Sequence, residues 1–318
     1  MMQDATPGLI ADIGGTNARF SLVLPGVDEA QHSLTLPCAD YPSLEAAAKA
    51  YLAAAAPAQA PRKGAFAIAC PVLSDEVSFT NRDWTFSISA LQKALELDHL
   101  DVVNDFTAVA LAVPYLSDQD KVAIGGGAPA FGAPIAILGP GTGLGVGVLV
   151  AGKEGWHAIP TEGGHVTLSA ATEREAAIIG RLRPQFGHVS AERLLSGPGL
   201  VNLYQAIAQL DGVSPSEPAP HEVAKRAKEG DAVAKETLDC FFAMLGSFAG
   251  NLALSTGARG GVVIAGGVLQ HLLEDFTRSS FRQRFEDKGR FKGYLQGIPV
   301  HVVTHPYPAF VGLRGLVS

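Results

Sequence analysis

A handful of polar residues fall where a chain can do chemistry. Asn104-Asp105 closes the apolar run Asp101-Val-Val-Asn104 and opens a helix-like run that continues to Val113. Asn and Asp at such a junction are good helix N-caps. A carboxylate there also sits at a sheet's carboxyl edge, where α/β proteins bind ligands. Both roles can coexist. An alcohol attacking a γ-phosphate needs a base of this kind within hydrogen-bond reach. Glu162-Gly-Gly-His165 follows the strand-like Trp156–Pro160. Its paired glycines argue against a metal-binding helix, so a loop offering one carboxylate and one imidazole to a polar ligand fits better. Glu192 precedes the glycine turn Ser196-Gly-Pro-Gly199; in isolation Glu192-Arg193 reads as surface charge. Together these acids and one amide resemble a site for a neutral polyol, whose hydroxyls need oriented acceptors.

Two glycine-rich turns supply a second kind of chemistry. Leu9-Ile-Ala-Asp12-Ile-Gly14-Gly15-Thr16-Asn17 runs on into an apolar stretch ending at Leu24, and Ile135–Leu138, Gly139-Pro-Gly141-Thr142-Gly143 and Leu144–Val150 repeat the design. Each reads strand, tight turn carrying Thr, strand. Glycine is expected to turn the backbone through positive φ and to bring N–H groups close to an anion. Two such hairpins can grip one polyphosphate, which points to ATP held by two related domains. Asp12, at a strand end beside the glycines, can hold Mg2+ or its water shell. A single turn of this type would be an ordinary hairpin with Asp12 capping it; the second turn and the later Gly266-Gly267 favour the phosphate reading. Gly147-Val-Leu-Val-Ala-Gly152-Lys153 mimics a P-loop, but Glu154 stands where Ser or Thr is needed and the intervening residues are apolar. A hairpin tip over Gly152–Gly155 is the better expectation.

The elements that must position these groups alternate along the chain. Gln31–Pro37 is a third strand, Ser43–Ala56 an alanine-rich helix, Ala65–Cys70 a buried strand and Ser87–Leu97 a helix, before the strand–helix pair around Asn104-Asp105 that ends at Pro114. Strands with helical crossovers imply a mixed sheet. The turn-rich Gly125–Pro134 is a junction, after which the pattern restarts as a duplicated unit. Helices are expected over Thr172–Pro184, Gly199–Leu210, His221–Glu229 and Asp231–Thr256; a strand Gly260–Gly267 closes on its glycine pair, Ile298–Val303 is a last strand, and Pro306–Val317 a helix.

The 318 residues suit about two domains with sizeable cores. A net charge of −7 argues against a nucleic-acid-binding surface. The three cysteines, Cys38, Cys70 and Cys240, have neither metal nor disulfide spacing. No leader is expected before the first strand, and the apolar runs are read as broken short of a membrane span. A soluble cytoplasmic protein is expected.

The motifs Ala11-Asp-Ile-Gly-Gly-Thr-Asn-Ala-Arg19, Asn104-Asp-Phe-Thr-Ala108, Gly139–Gly145, Glu162-Gly-Gly-His165, Glu192–Leu200 and Ala265-Gly-Gly267 occur in an order that closely resembles the bacterial glucokinase family over most of the chain. Thr80-Asn-Arg-Asp-Trp84 also looks like a loop of that family, without an assigned role. The resemblance implies an α/β, two-domain actin-like (ribonuclease-H-like ATPase) fold with mixed sheets and an interdomain cleft. Residues 1–115, completed by 306–318, would form the small domain and 116–305 the large one. It implies Asp105 as base for the glucose 6-hydroxyl, with Asn104, Asp105, Glu162, His165 and Glu192 binding the sugar. Asp12, Gly14, Gly15, Thr16, Asn17, Thr142, Gly143, Gly266 and Gly267 would face ATP, with Asp12 holding Mg2+ through water. Family members use Mg2+ and are commonly homodimers. The zinc-motif repressor/ORF/kinase group is similar, but here the region after Glu162-Gly-Gly-His165 has no cysteine nearby, and only eight residues precede Leu9; neither zinc nor DNA binding is expected. A kinase for mannose or an N-acetylated sugar, or a sugar sensor on the same fold, are the competing functions. A sensor would need the sugar-binding groups but not the base.

Overall fold

A computed structural model describes residues 6–27, 29–79, 84–153, 155–214 and 216–317. The chain divides into two units, one of residues 1–116 with 305–318 and one of 117–304.

In the first unit, alternating burial organises the sheet. Strands β1 (Gly8–Ile13), β2 (Asn17–Val23), β3 (Gln31–Pro37), β4 (Lys63–Ile68) and β7 (His99–Asn104) lie in the order β3-β2-β1-β4-β7. β1, β4 and β7 are parallel, while β2 and β3 run against their neighbours. Leu9, Ala11, Ile13, Phe66 and Ile68 enter a core with α1 (Leu44–Ala55) and α2 (Ile88–Ala94), where Phe20 stacks on Tyr51 at 5.2 Å. The intervening Ile10, Ala65 and Ala67 face the other way, onto α3 (Asp105–Ala112) and the C-terminal α12 (Pro308–Val317). That is the period-two consequence of strand geometry. A separate two-stranded antiparallel sheet, β5 (Glu76–Ser78) with β6 (Thr85–Ser87), lies between β4 and β7 in the chain. Trp84 is buried edge-on to Phe79, whereas residues 80–83 of the Thr80–Trp84 motif lie outside the described residues.

The second unit repeats the plan. Its sheet contains β8 (Lys121–Ala123), β9 (Ile135–Pro140), β10 (Leu144–Gly152), β11 (Gly155–Thr161), β12 (Gly261–Ile264) and β13 (Val300–Val303), in the order β11-β10-β9-β12-β13-β8. β9, β12 and β13 are the parallel set, as β1, β4 and β7 are in the first unit. Helices α4 (Glu173–Phe186), α5 (Gly197–Leu210), α6 (Pro220–Lys228) and α7 (Ala232–Thr256) follow β11. α8 (Gly267–His271), α9 (Leu273–Thr277), α10 (Phe281–Glu286) and α11 (Lys292–Gln296) separate β12 from β13. By length and composition α7 could cross a membrane, yet most of its apolar stretch is buried in this unit's core.

Several expectations need correction. The strand closed by Gly266-Gly267 is shorter than expected, running only from Gly261 to Ile264, and Gly267 opens α8. The helix from Asp105 ends at Ala112, ahead of Pro114 as expected, and a 3-10 turn, Val113–Tyr115, follows it. β8 and the four short helices α8–α11 carry periodicity too brief to read in sequence. Gly147–Gly152 lies within β10, so its P-loop likeness has no structural counterpart; the hairpin tip pairs Gly152 with Gly155.

The two helices on the second face of the first sheet meet at a bare backbone. A Cβ at Gly312 in α12 would strike the carbonyl oxygen of Ala108 and lie 2.9 Å from the amide nitrogen of Ala112. Gly312→Ala is therefore expected to destabilise the protein by about 1–3 kcal/mol, the usual cost of overpacking. Urea unfolding checks this, with Gly293→Ala as control, since nothing lies within 4 Å of a Cβ there.

Candidate functional site

Because β1, β4 and β7 are parallel, their carboxyl ends share one edge, and the chemistry of the first unit gathers there. Asp12 is the next-to-last residue of β1, Cys70 lies just beyond β4, and Asn104 ends β7. The Asn104 side chain caps α3, accepting from the amides of Phe106 (2.9 Å) and Thr107 (3.4 Å), while its Nδ2 donates to the Cys70 carbonyl at 3.4 Å. Asp105 is the first residue of α3, and its Oδ1 accepts from Phe106 N at 2.7 Å. A helix N-terminus favours a carboxylate in its charged form. Burial pushes the Cys70 thiol up, and the Asp105 carboxylate pushes it further the same way.

The turn after β1 is closed by Gly14 N donating to Asn17 O at 2.9 Å, and Cys38 N donates to Thr16 O at 2.8 Å. Gly15, Thr16 and Asn17 are exposed on it. Asp12 is half-buried and pairs with Arg19 at 3.6 Å across the hairpin. Burial pushes the Asp12 carboxyl up, and the Arg19 guanidinium offsets this only in part. Asp12, Arg19 and Asp105 line one cleft of about 210 Å³ together with Phe106, Tyr307 and Phe310.

In the second unit the carboxyl ends of β9 and β12 likewise meet. Ala265 N donates to Leu138 O at 2.8 Å, and Gly266 has φ +152° with no room for a Cβ against the Pro140 carbonyl. Positive φ was expected of the turn glycines, but Gly14, Gly15, Gly141 and Gly143 do not have it. At Gly143 a Cβ would lie 2.5 Å from Glu192 Oε2, so a side chain there would require the Glu192 carboxylate to shift. That oxygen accepts from Leu144 N at 2.9 Å, and Gly197 N donates to Gly141 O at 2.8 Å. Glu192 N in turn donates to Gly164 O at 2.9 Å.

Glu162-Gly-Gly-His165 forms a loop with one 3-10 turn, Gly163–His165. His165 stands between two carboxylates, Nε2 at 3.8 Å from Glu162 and Nδ1 at 3.9 Å from Glu192. These separations leave the three groups, each partly exposed, able to take hydrogen bonds from a ligand. The structure thus gathers Thr142, Gly143, Glu162, His165 and Glu192 in one unit, beside Gly266 and Gly267, and Asp12–Asn17 with Asn104 and Asp105 in the other.

Sequence reading left Arg19 and Tyr307 without roles. Arg19 carried a usable signal, since a hairpin turning at Gly14-Gly15 pairs it with Asp12; Tyr307 carried none, because it arrives from the far end of the chain. No group of three or more metal-ligating side chains occurs among the described residues. The single carboxylate of Asp12 at a glycine turn still suits Mg2+, which keeps several waters and takes other ligands from phosphate.

The model for the family described as Glucokinase matches residues 9–318. A glucokinase of Paramagnetospirillum magneticum is 55% identical, over 98% of this chain and 97% of its own. Among solved structures, a glucokinase from an Antarctic psychrotroph superposes with a TM-score of 0.90 at 37% identity, covering 98% of both chains. A ROK family glucokinase from Streptomyces griseus, in complex with glucose and AMPPNP, has a TM-score of 0.63 over 98% of both chains; at 18% identity it shares the fold.

Glu192 supports a partly buried amide from 48 residues away. Glu192→Ala should remove that charged acceptor at a cost of about 1.5–3 kcal/mol, with faster hydrogen exchange at Leu144 N. Glu192→Gln, which keeps an acceptor, should recover much of the protection.

Proposed function

The chain belongs to the glucokinase family, and from that premise we propose that it transfers the γ-phosphoryl group of ATP to the 6-hydroxyl of D-glucose, with Asp105 as base. The observation that carries the assignment of the base is the place of Asp105, at the first turn of α3 and lining the same cleft as Asp12. The Asp105 carboxylate accepts the hydroxyl proton as the sugar oxygen attacks phosphorus. The new O–P bond forms while the bond to the β,γ-bridging oxygen breaks, and ADP departs with that electron pair. Asn104, Glu162, His165 and Glu192 orient the remaining sugar hydroxyls, and one acceptor or donor misplaced by an ångström would cost rate through lost alignment.

Gly14, Gly15, Thr16 and Asn17 on one glycine hairpin, Thr142 and Gly143 on the other, and Gly266-Gly267 contact the nucleotide. Bare backbone at these turns lets phosphate oxygens approach main-chain N–H groups. Asp12 would hold Mg2+ through water, and the ion would supply positive charge to offset that of the nucleotide's phosphates. Family membership further supports a homodimer working in the cytoplasm.

ADP release with Mg-ATP, measured across glucose, mannose, fructose and N-acetylglucosamine, tests the assignment. Glucose should be the preferred acceptor, and Asp105→Asn should lower kcat by about 10²–10⁴, the range general bases contribute. Calorimetry should find glucose affinity in that variant within a few-fold of the parent. Near-parent turnover in Asp105→Asn would remove Asp105 as the base, and turnover with none of the sugars would overturn the activity.

A further inference from the structure

One cation pairs with Asp12 among the described residues, and it is held from an unexpected direction. Asp12 and Arg19 are register partners across the first hairpin, and Arg19 Nη1 lies 3.6 Å from Asp12 Oδ2. The guanidinium also lies over the ring of Tyr307, with Arg19 Cζ 4.7 Å from the ring centroid. Tyr307 comes from the C-terminal segment, and its own place is secured. Pro306 and Pro308 flank it, its N–H donates to His305 Nδ1 at 3.0 Å, and its ring lies 6.4 Å from that of Phe310. Phe310 is anchored in the core that α12 shares with β1 and β4. Packing therefore runs from that core through Phe310, Tyr307 and Arg19 to Asp12.

An isolated, partly exposed ion pair is worth little, chiefly because both side chains must be ordered to make it. The ring under Arg19 supplies that order in advance, and a planar guanidinium suits it as an ammonium would not. If the pair served only to fasten the hairpin it would duplicate work already done by the β1–β2 ladder and the buried Leu9, Phe20 and Leu22. Its position matters more: Arg19, Tyr307, Asp12 and Asp105 line the same cleft.

We propose that Arg19, braced by Tyr307, is a positioning residue that holds the Asp12 carboxylate in place for the magnesium–nucleotide, so that the C-terminal segment 305–310 sets the metal requirement of phosphoryl transfer. This rests on the role given to Asp12 above. Arg19 acts through Asp12 rather than on phosphate, so its loss should be felt in the metal-dependent part of binding. Groups that orient a metal ligand typically change metal affinity or activity by about 10–100-fold when removed.

The experiment compares the full-length parent with Arg19→Gln, Arg19→Lys, Tyr307→Leu, Tyr307→Phe and Asp12→Asn. Two quantities are read: the Mg2+ concentration giving half-maximal activity at saturating ATP and glucose, and calorimetric ADP affinity with Mg2+ or with EDTA. Arg19→Gln and Tyr307→Leu should each raise the half-saturating Mg2+ by about tenfold or more. ADP affinity should fall correspondingly with Mg2+ and stay within about twofold in EDTA, as should the glucose KM, because the sugar-binding groups are untouched. Tyr307→Phe keeps the ring and should recover most of the loss; Arg19→Lys keeps charge without the planar stack and should fall between. An unchanged Mg2+ requirement in Arg19→Gln, with Asp12→Asn impaired, overturns the positioning role alone. Equal loss of ADP affinity with and without Mg2+ also overturns it, by making Arg19 a direct phosphate contact. An unchanged Mg2+ requirement in Asp12→Asn removes the role of Asp12 and this inference with it. Should Arg19→Gln fail to fold, the half-exposed Tyr307 provides the same comparison.

Discussion

Parallel strands end together, and both units depend on that constraint. Where β1, β4 and β7 stop, the backbone ladder stops with them, and the following turns and helix N-termini face outward with N–H groups to offer. The same holds where β9 and β12 end. Residues far apart in the chain reach one edge because they follow neighbouring strands in space: Asp12 and Asn104-Asp105 in one unit, Gly139–Gly143 and Gly266-Gly267 in the other. The strand orders β3-β2-β1-β4-β7 and β11-β10-β9-β12-β13 are copies of one plan, so each unit presents a glycine hairpin at the corresponding edge.

What holds that edge still is packing behind it. Alternate residues of β1 and β4 feed separate cores on the two faces of the first sheet. The sheet face toward α3 and α12 includes Ile10, Ala65 and Ala67, the two alanines small enough for helices to lie close, and the bare Gly312 brings α12 against the backbone of α3 at Ala108. The helix that carries Asp105 at its start is thereby fixed by a helix from the other end of the chain. In the second unit, α7 plays the central role, surrounded by Phe276, Phe281 and Phe285.

Electrostatics divides the polar groups into braced and available ones. Asn104 is committed to capping α3, and one oxygen of Glu192 to Leu144 N, so each retains part of its hydrogen-bonding capacity for a ligand. Glu162 and His165 are more open, and their nearest polar atoms stand 3.8 Å apart. Asp12 is the strained case electrostatically: burial disfavours its charge, and Arg19 restores it only partly. A nearby cation would favour the charged form further.

The amino-acid sequence by itself determined the two glycine hairpins, the strand–helix junction at Asn104-Asp105, the longer helices and the family, because each depends on residues adjacent or regularly spaced along the chain. Ser43, Thr172 and Asp231 cap helices whose periodicity was already plain. Short elements such as β8 and α8–α11 escaped, since one turn of apolar spacing has no distinctive period. Tertiary structure alone decided why Gly266 is needed: a Cβ there would meet the backbone of Pro140, a reason of close approach that local turn chemistry does not contain. It also decided that Glu192 supports Leu144 and that Tyr307 braces Arg19. Such contacts join residues 48 and 288 positions apart in a 318-residue chain, and strand order and helix packing, not spacing, bring them together.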